Sequence, residues 1–296
     1  MSLNRSFLFA PGNVARRVEK ALTLEADAVI VDLEDSVAVS DKVVTRKPVA
    51  EALTRPRRPR GYLRVNAPAS PFCYEDLVET IHKGVDGVVV PKVESAADLH
   101  AIDWLLAALE RSRGIPEGSI DLMPQIETAA GVQRVERILQ ARSLRPYAAP
   151  WRVKRIVFGA ADYANELGLA PTLDEAELAD ARARLVLASC AAGLENPIDS
   201  PWFHFKEAEA FKRALERSRR GGFQGRCCVH PDQIALVNAA YLPSDEELAR
   251  AERIVAAFRE AEAKGAAAIQ VDGQMIDYPV AYRAERLLEV VRKARQ

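Results

Sequence analysis

Eight short apolar runs, each followed by a segment with helical spacing of its apolar residues, constrain the fold of this chain most strongly. A short apolar run predicts a buried strand, and the amphipathic segment after it predicts the helix that returns the chain to the next parallel strand. The predicted strands are residues 6–10, 28–33, 62–65, 87–90, 122–126, 156–158, 197–198 and 226–229. An open doubly wound sheet usually stops at about five or six strands, so the pattern favours a closed (β/α)8 TIM barrel.

The rest of the chain is assigned from the same periodicity. The helical segments predicted between the strands are residues 15–24, 42–53, 74–83, 97–111, 131–141, 174–192 and 204–218, with a long loop at 141–154. After the eighth strand the pattern changes to a long helix, residues 244–264, then a hairpin, residues 267–275, that turns at Asp272-Gly273, and a final helix. We therefore expect a barrel domain, residues 4–240, and a C-terminal helical and hairpin extension, residues 241–296, that docks on a neighbouring subunit.

Composition excludes several classes of function. The 41 Lys and Arg residues against 42 Asp and Glu give a net charge of −1, which argues against nucleic-acid binding driven by counterion release. No apolar run approaches the roughly 20 residues that span a bilayer, and the first residues lack a signal-peptide pattern. Four cysteines without a CxxC motif fit a reducing compartment. We expect a cytoplasmic protein that binds neither membrane nor nucleic acid.

Polar residues end most of the predicted strands, and barrels of this kind carry their active site at the C-terminal ends of the strands. Glu127 and Asp162 follow the fifth and sixth strands, which places two carboxylates on neighbouring strand ends. A divalent cation such as Mg²⁺ relieves their mutual repulsion. Alternatively, both acids cap the free amides of the helices that follow them.

Arg64 lies within an otherwise apolar strand, where a guanidinium needs a carboxylate or an anionic ligand. It pairs with Glu34 or Asp35, or it stabilises a developing oxyanion or enolate, and the two roles are compatible. Pro11 and Gly12 follow the first strand and open a helix, so their turn suits binding of an anionic acyl carboxylate or phosphate.

Two further residues have ordinary structural explanations. His230 closes the eighth strand and is a candidate base, although a histidine there is more often a hydrogen-bonded structural residue. Asp277 precedes the last helix, and Pro279 suits the first turn of that helix. The pattern alone favours an N-cap role for Asp277.

Taken together, eight motifs in order along the chain resemble the HpcH/HpaI aldolase and citrate lyase β-subunit family. The motifs are RSFLFAPG at 5–12, DLEDSV at 32–37, LRVN at 63–66, PK at 91–92, IET at 126–128, FGAAD at 158–162, VHPDQ at 229–233 and GQMID at 273–277. Each is weak alone, but their shared order across almost the whole chain is hard to obtain by chance.

The resemblance implies a Mg²⁺-dependent carbon–carbon lyase. Its substrate would be a malyl-, citramalyl- or citryl-type thioester, cleaved to acetyl-CoA or an acetyl carrier and a small 2-oxo acid, and the enzyme would be a homotrimer or hexamer. Two alternatives stay open, a citrate lyase β subunit that acts on an acyl-carrier-protein thioester and a malate synthase-like condensing enzyme. A non-enzymatic scaffold barrel is disfavoured, because it has no reason to keep costly polar groups in one site.

The resemblance also implies roles for individual residues. Glu127 and Asp162 resemble the metal ligands, and Arg64 resembles the residue that holds the substrate and stabilises the enolate. Asp277 resembles an acid/base supplied by the C-terminal segment of an adjacent subunit. The remaining substrate-binding positions are the acyl-pocket residues Pro11 and Gly12, and Glu34 and Asp35, which orient Arg64 or a lysine.

Overall fold

The computed structural model describes residues 3–140 and 151–294 of the chain, and within them eight parallel strands form a closed barrel in sequential order. The strands are β1 (Ser6–Pro11), β2 (Ala28–Asp32), β3 (Arg60–Arg64), β4 (Gly87–Val90), β5 (Asp121–Ile126), β6 (Val157–Phe158), β7 (Ile198–Asp199) and β8 (Gly225–Cys228). Strand β1 pairs with both β2 and β8, which closes the sheet. The predicted TIM barrel is confirmed, and each predicted strand overlaps an observed one.

Helices alternate with the strands along the barrel part of the chain. They are α1 (Ala15–Ala21), α2 (Lys42–Thr54), α3 (Cys73–Thr80), α4 (Ala96–Ser112), α5 (Ala129–Leu139), α6 (Ala160–Leu167), α7 (Ala179–Ala191), α8 (Ala208–Arg220) and α9 (Gln233–Ala240). The short helix α9 was not predicted, and α6 was expected only as a helix of unassigned bounds after Asp162 in the capping alternative. The helix predicted at 174–192 begins only after a short 3₁₀ turn. Residues 141–150 of the predicted long loop lie outside the described residues. Among the described residues, no helix combines the length and apolarity needed to cross a lipid bilayer.

The interior of the barrel is filled by one layer of apolar side chains to which every strand contributes. The layer consists of Phe7, Ala28, Ile30, Tyr62, Val89, Met123, Val157, Ile198 and Cys227, each at most 1% exposed. Because alternate residues of a strand share a face, this layer fixes which positions of each strand point inward. It therefore decides which side chains nearer the C-terminal ends face the barrel mouth.

The described chain divides into two compact units, of which the barrel is Asn4–Asn238 and the second comprises residues 239–294 together with Leu3. The second unit contains α10 (Asp245–Ala263), the antiparallel hairpin β9 (Ala268–Val271) and β10 (Gln274–Asp277), and α11 (Tyr278–Ala294). Ser244 and Glu247 form a capping box at the start of α10. The hairpin turns at Asp272 and Gly273, which both have positive φ, as a tight two-residue turn requires.

A buried arginine ties the chain before β6 to helix α4. Arg152, which is 1% exposed, donates to Asp103 Oδ1 at 2.7 Å and to Glu110 Oε1 at 2.6 Å. Glu110 also accepts the amides of Gly118 and Ile120, at 2.8 and 3.0 Å, and thereby shapes the turn that enters β5. Removal of this guanidinium would leave buried carboxylates without their counter-charge.

We expect Arg152→Met to lower the free energy of unfolding by about 3–5 kcal/mol, because a buried ion pair is broken and its acids stay buried. Urea unfolding measures this loss. The matched control is Arg111→Met, because Arg111 is exposed and its partner is Glu117 at 2.9 Å, so the expected loss is below about 1 kcal/mol. Equal, small losses in the two variants would contradict the structural role of Arg152.

Candidate active site

The inward face of the barrel changes from apolar to polar toward the C-terminal ends of the strands. Two positions after the apolar layer stand Asp32 on β2, Arg64 on β3 and Gln125 on β5. Because side chains two residues apart share a face of a strand, all three continue the inward rows of the core. They line a single cavity of about 420 Å³. Its lining also includes Phe9, Pro11, Asp35, Phe158, Gly159 and Asp162.

Arg64 and Asp32 form a two-pronged ion pair between neighbouring strands. The two residues are register partners of β3 and β2, and the guanidinium Nε and Nη2 atoms donate to the two Asp32 oxygens, each at 2.6 Å. The guanidinium carbon also lies 4.8 Å from the ring centroid of Phe9. Burial opposes the charged forms, but the mutual attraction outweighs it, raising the pKa of Arg64 and lowering that of Asp32. Both groups are therefore charged at neutral pH.

Glu34 and Asp35 occupy different places in the charge network. Glu34 is buried, with one oxygen 3.2 Å from Arg64 Nη1 and the other accepting from Lys92 Nζ at 3.0 Å. Asp35 is exposed, and its oxygen lies 3.7 Å from Lys92 Nζ. Burial raises the pKa of Glu34. The principal partner of Arg64 is thus Asp32, with Glu34 second, whereas Asp35 pairs with Lys92 and not with Arg64.

Glu127 is fully buried just beyond the end of β5. Its Oε1 accepts the amide of Lys92 at 2.8 Å, and its Oε2 accepts a hydrogen bond from Gln125 Nε2. Lys92 makes this contact from a left-handed backbone conformation, with φ of 53°. Burial, reinforced by the charges of Glu34 and Asp162, raises the pKa of Glu127 to about 8. A nearby cation would stabilise the charged form of this buried carboxyl group.

A glycine directly after the next strand, β6, makes room for Glu127. A Cβ atom on Gly159 would lie 2.4 Å from Glu127 Oε2 and 2.5 Å from its Cβ atom, closer than real contacts permit. Gly159 also donates its amide to the Ile126 carbonyl at 3.0 Å, which joins the ends of β5 and β6. The absence of a side chain at this position therefore allows the buried carboxylate to occupy the barrel mouth.

Asp162 lies on a helix and not on a strand end. It occupies the first turn of α6, where the N-cap residue, Gly159, provides no side-chain hydrogen bond. At α5 the capping task belongs to Thr128, whose hydroxyl accepts the Gly131 amide at 2.9 Å, so Glu127 is not the cap of that helix. The alternative explanation of Glu127 as a helix cap is thereby excluded.

The donor set at the mouth fits a hard cation with few protein ligands. Among the described residues, no group of three or more His, Cys, Asp or Glu side chains is arranged to hold a metal ion. Mg²⁺ needs only one or two carboxylates, since waters and substrate oxygens fill the rest of its octahedron. Glu127 and Asp162 supply such carboxylates, and the buried Gln125 Oε1 beside them makes no hydrogen bond. The residues present therefore fit Mg²⁺.

The other predicted positions fall in separate places. Pro11 lines the cavity, but the Gly12 amide donates to the Asp32 carbonyl at 2.9 Å and is therefore not free to bind an anion. Asp277 ends β10 in the second unit, and its Oδ1 accepts the Val280 amide at 3.3 Å, as a helix cap does. His230 lies outside the lining of the main cavity.

Three contributors to the site were given no role in it from the sequence. Lys92 and Gly159 lie within motifs that were recognised, but neither backbone role has a signal in the residue type alone. Asp32 was recognisable, because inward positions alternate along a strand and Asp32 follows Ile30 of the core by two residues.

Comparison with known proteins agrees with this geometry. A family model described as HpcH/HpaI aldolase/citrate lyase matches residues 5–231. The chain is 33% identical over 290 residues to citrate lyase subunit beta of Leuconostoc mesenteroides subsp. cremoris, covering 97% of this chain and 93% of that protein. It is 34% identical over 317 aligned positions to L-malyl-CoA/beta-methylmalyl-CoA lyase of Rhodobacter capsulatus, covering 99% and 96%.

A solved structure is similar over the full length. The protein CitE from Mycobacterium tuberculosis, in complex with magnesium, acetoacetate and coenzyme A, superposes with a TM-score of 0.77 at 29% identity. The match covers 100% of this chain and 99% of that one. The family resemblance carried by the eight motifs is confirmed.

Glu127 makes the stability of the metal-free protein depend on pH. Its pKa is about 8 in the folded chain against an ordinary 4.5, so between these values only the folded state keeps the proton. The stabilisation from this group is full below about pH 4.5, and it is lost as the pH rises through about 8. We expect urea unfolding in EDTA to show this decline and Glu127→Gln to make it smaller, while Glu34, whose pKa burial also raises, still contributes a decline of the same sign.

The exposed Glu252→Gln serves as the matched control and should leave the decline unchanged. If Glu127→Gln and the parent protein have the same pH profile of stability, the proton is held by a group other than Glu127.

Proposed function

Because the chain belongs to the HpcH/HpaI aldolase/citrate lyase family, we propose that it is a Mg²⁺-dependent carbon–carbon lyase acting on a malyl-, citramalyl- or citryl-type CoA thioester. Its products would be acetyl-CoA and a small 2-oxo acid. The observation that carries this proposal is one cavity that holds both a fixed guanidinium, Arg64, and the acid side chain of Asp162, with Glu127 buried beside it. The named relatives, a malyl-CoA lyase and a citrate lyase subunit, support the substrate class.

Glu127 and Asp162 would hold the Mg²⁺ in this proposal. When bound, Mg²⁺ supplies a Lewis acid for the carboxylate and the 2-oxygen of the oxo-acid half of the substrate. The magnesium in the similar M. tuberculosis structure supports this choice of metal. Lys92 and Gln125 act as positioning residues, because their hydrogen bonds fix both oxygens of Glu127.

Arg64 stabilises the thioester enolate in the proposed cleavage. The carbon–carbon bond between the carbinol carbon and the thioester α-carbon breaks, and its electron pair remains on the thioester as an enolate. A guanidinium already fixed by Asp32 provides positive charge without having to reorganise as that oxyanion develops. The carbinol hydroxyl loses its proton to solvent water and becomes the 2-oxo group of the released acid.

Asp277 of a neighbouring subunit would return a proton to the enolate carbon. A protonated carboxyl at this position completes acetyl-CoA, and in the condensation direction its carboxylate removes that proton from acetyl-CoA. Exposed side chains flank Asp277 on the second unit, with Met275 70%, Tyr278 36% and Tyr282 54% exposed. The exposure of these side chains supports the proposed homotrimer or hexamer, in which residues 241–296 would dock on the adjacent barrel and cover them.

A cytoplasmic location is also part of the proposal. All four cysteines lie in the described part of the chain and are free thiols. Burial raises the pKa values of the Cys73 and Cys228 thiols to about 12, so these two groups are unreactive. Free thiols are the usual state in a reducing compartment.

Product analysis tests the function directly. The purified protein is incubated with Mg²⁺ and malyl-, citramalyl- or citryl-CoA, and the products are followed by mass spectrometry with and without EDTA. Metal-dependent release of acetyl-CoA and a 2-oxo acid is expected. Release of free CoA together with a hydroxy acid from acetyl-CoA and glyoxylate would identify a malate synthase-like enzyme. If no CoA ester is turned over but a carrier-protein thioester is, the protein is a citrate lyase β subunit.

We expect Glu127→Gln to abolish Mg²⁺-dependent turnover, with a loss of about a hundredfold or more, because a neutral amide cannot replace a charged ligand. The same variant should lose the increase in thermal stability that Mg²⁺ gives the parent protein. Glu136→Gln, an exposed change on α5, is the matched control. Normal turnover and normal Mg²⁺ stabilisation in Glu127→Gln would overturn the ligand assignment.

We expect Asp277→Asn to stop exchange of the acetyl-CoA α-protons into heavy water, because the amide cannot act as the base. Proton exchange is measured by mass spectrometry, and Mg²⁺ stabilisation should persist, which separates this loss from a loss of metal. Asp272→Asn in the same hairpin is the control and should exchange normally. Exchange at the parent rate in Asp277→Asn would remove this residue from the mechanism.

A further inference from the structure

A second cavity adjoins the first one at the barrel mouth. Its volume is about 300 Å³, and it shares Ala160, Ala161, Pro201 and Phe203 with the cavity that contains Arg64. A water-sized group occupies roughly 30 Å³, so this side chamber accommodates on the order of ten such groups. It is far larger than a methyl substituent requires.

The walls of the side chamber are mainly apolar. One wall is α6 with the loop after it, and the other is the loop that follows β7. The apolar residues that line these walls beyond the shared four are Ala164, Leu169, Pro171, Leu178 and Trp202. Small alanines on α6 leave the space open beside the first cavity. The chamber therefore suits a hydrocarbon group that enters from the active site.

The charges on the walls disfavour an anionic occupant. Glu175 and Glu177 line the chamber, and neither Lys nor Arg is among the described residues that do so. Glu177 already accepts the amide and hydroxyl of Thr172, at 3.1 and 2.5 Å. Ion pairs with Arg226 and Arg182 already compensate the charge of Glu175. The phosphates of a CoA arm, or a second carboxylate on the substrate, would therefore meet the acidic side chain of Glu177 and no lysine or arginine among the described lining residues.

The chamber is preformed, because a buried arginine joins its two walls. Arg226, on β8, donates to Glu175 Oε1 at 2.6 Å and to the Ser200 carbonyl at 2.8 Å. Arg182 on α7 donates to the other oxygen of Glu175 at 2.9 Å. Glu175 makes these contacts with a left-handed φ of 51°, a conformation that costs free energy and persists only where the surroundings enforce it.

Position in the barrel decides which half of the substrate reaches the chamber. The shared residues Ala160 and Ala161 directly precede Asp162, the proposed metal ligand of the oxo acid. Arg64, which receives the thioester enolate in the proposed function, lies on β3 and is absent from the chamber lining. The nearest part of the substrate is therefore the group attached to the 2-oxo carbon.

We propose that the side chamber binds an apolar side chain on the 2-oxo acid, so that the enzyme accepts oxo acids with branched or longer alkyl groups than that of pyruvate. This inference rests on the proposed function, because it assumes that the oxo acid binds beside Asp162. Specificity then resides in α6 and in the loops that Arg226 holds together.

Direct binding tests the inference without a thioester. Glyoxylate, pyruvate and 4-methyl-2-oxopentanoate are each titrated into the Mg²⁺-loaded protein by isothermal calorimetry. We expect 4-methyl-2-oxopentanoate to bind at least as tightly as pyruvate, and to be condensed with acetyl-CoA. Binding of pyruvate without binding of the longer acid would overturn the inference and leave the proposed function intact. Failure of all three oxo acids to bind would overturn the proposed function, and the inference with it.

Variants of the chamber provide the matched comparison. Ala164→Leu places additional methyl groups in the chamber and should weaken binding of 4-methyl-2-oxopentanoate about tenfold or more, with pyruvate changed less than about threefold. Leu169→Ala enlarges the chamber and should favour binding of the longer acid relative to pyruvate. This second variant tests the chamber even if Ala164→Leu fails to fold. Leu167→Ala, an exposed change on α6 outside the lining, is the control. Parallel changes for both acids in Ala164→Leu and Leu169→Ala would contradict the assignment.

Discussion

A guanidinium buried where the apolar interior of a barrel meets its polar mouth requires a carboxylate, and Asp32 meets this requirement for Arg64 from the neighbouring strand. The pairing follows from register, since the two residues are opposite each other on β2 and β3. Two hydrogen bonds of 2.6 Å hold the planar groups together, which leaves Arg64 little freedom to rotate. Positive charge at the mouth is therefore fixed before any ligand arrives, and the neighbouring acids are organised around it.

The acidic side of the mouth depends on backbone features. Glu127 reaches its place because Gly159 has no side chain, and because the left-handed backbone at Lys92 presents an amide to it. These contacts hold a buried carboxyl that has little water around it. The resulting rise in its pKa is the electrostatic cost of arranging acids for a cation. A bound divalent cation would attract these acids and relieve their mutual repulsion, so the repulsion in the metal-free protein favours binding of the cation. This explains why the fold tolerates such an arrangement.

Much of this architecture was predictable from the sequence, because buried strands leave continuous apolar runs. Even the two-residue strands β6 and β7 were found, since the alternation of strands and helices requires elements there. The start of the short helix α6 was not located, so Asp162 was assigned to a strand end, whereas it lies in the first turn of that helix. The pairing of Arg64 with Asp32 was also not predicted. Glu34 and Asp35 lie in the same motif as Asp32, and only the strand register shows which of the three acids is opposite Arg64. Register and backbone conformation are properties of several segments together, and no single motif encodes them.

The arrangement of charge also divides the substrate into two halves with different freedom to vary. In the proposed function the thioester half meets Arg64, whose position is fixed by Asp32, so a change in the shape of that half would disturb the group proposed to stabilise the enolate. The proposal holds the oxo-acid half through its carboxylate and oxo oxygens, which all 2-oxo acids share. Its side chain is not needed for the proposed chemistry and would meet the walls built from α6 and the loop after β7. On this proposal, substitutions at the small residues of α6 would change the substrate range without disturbing the charged groups assigned to the reaction.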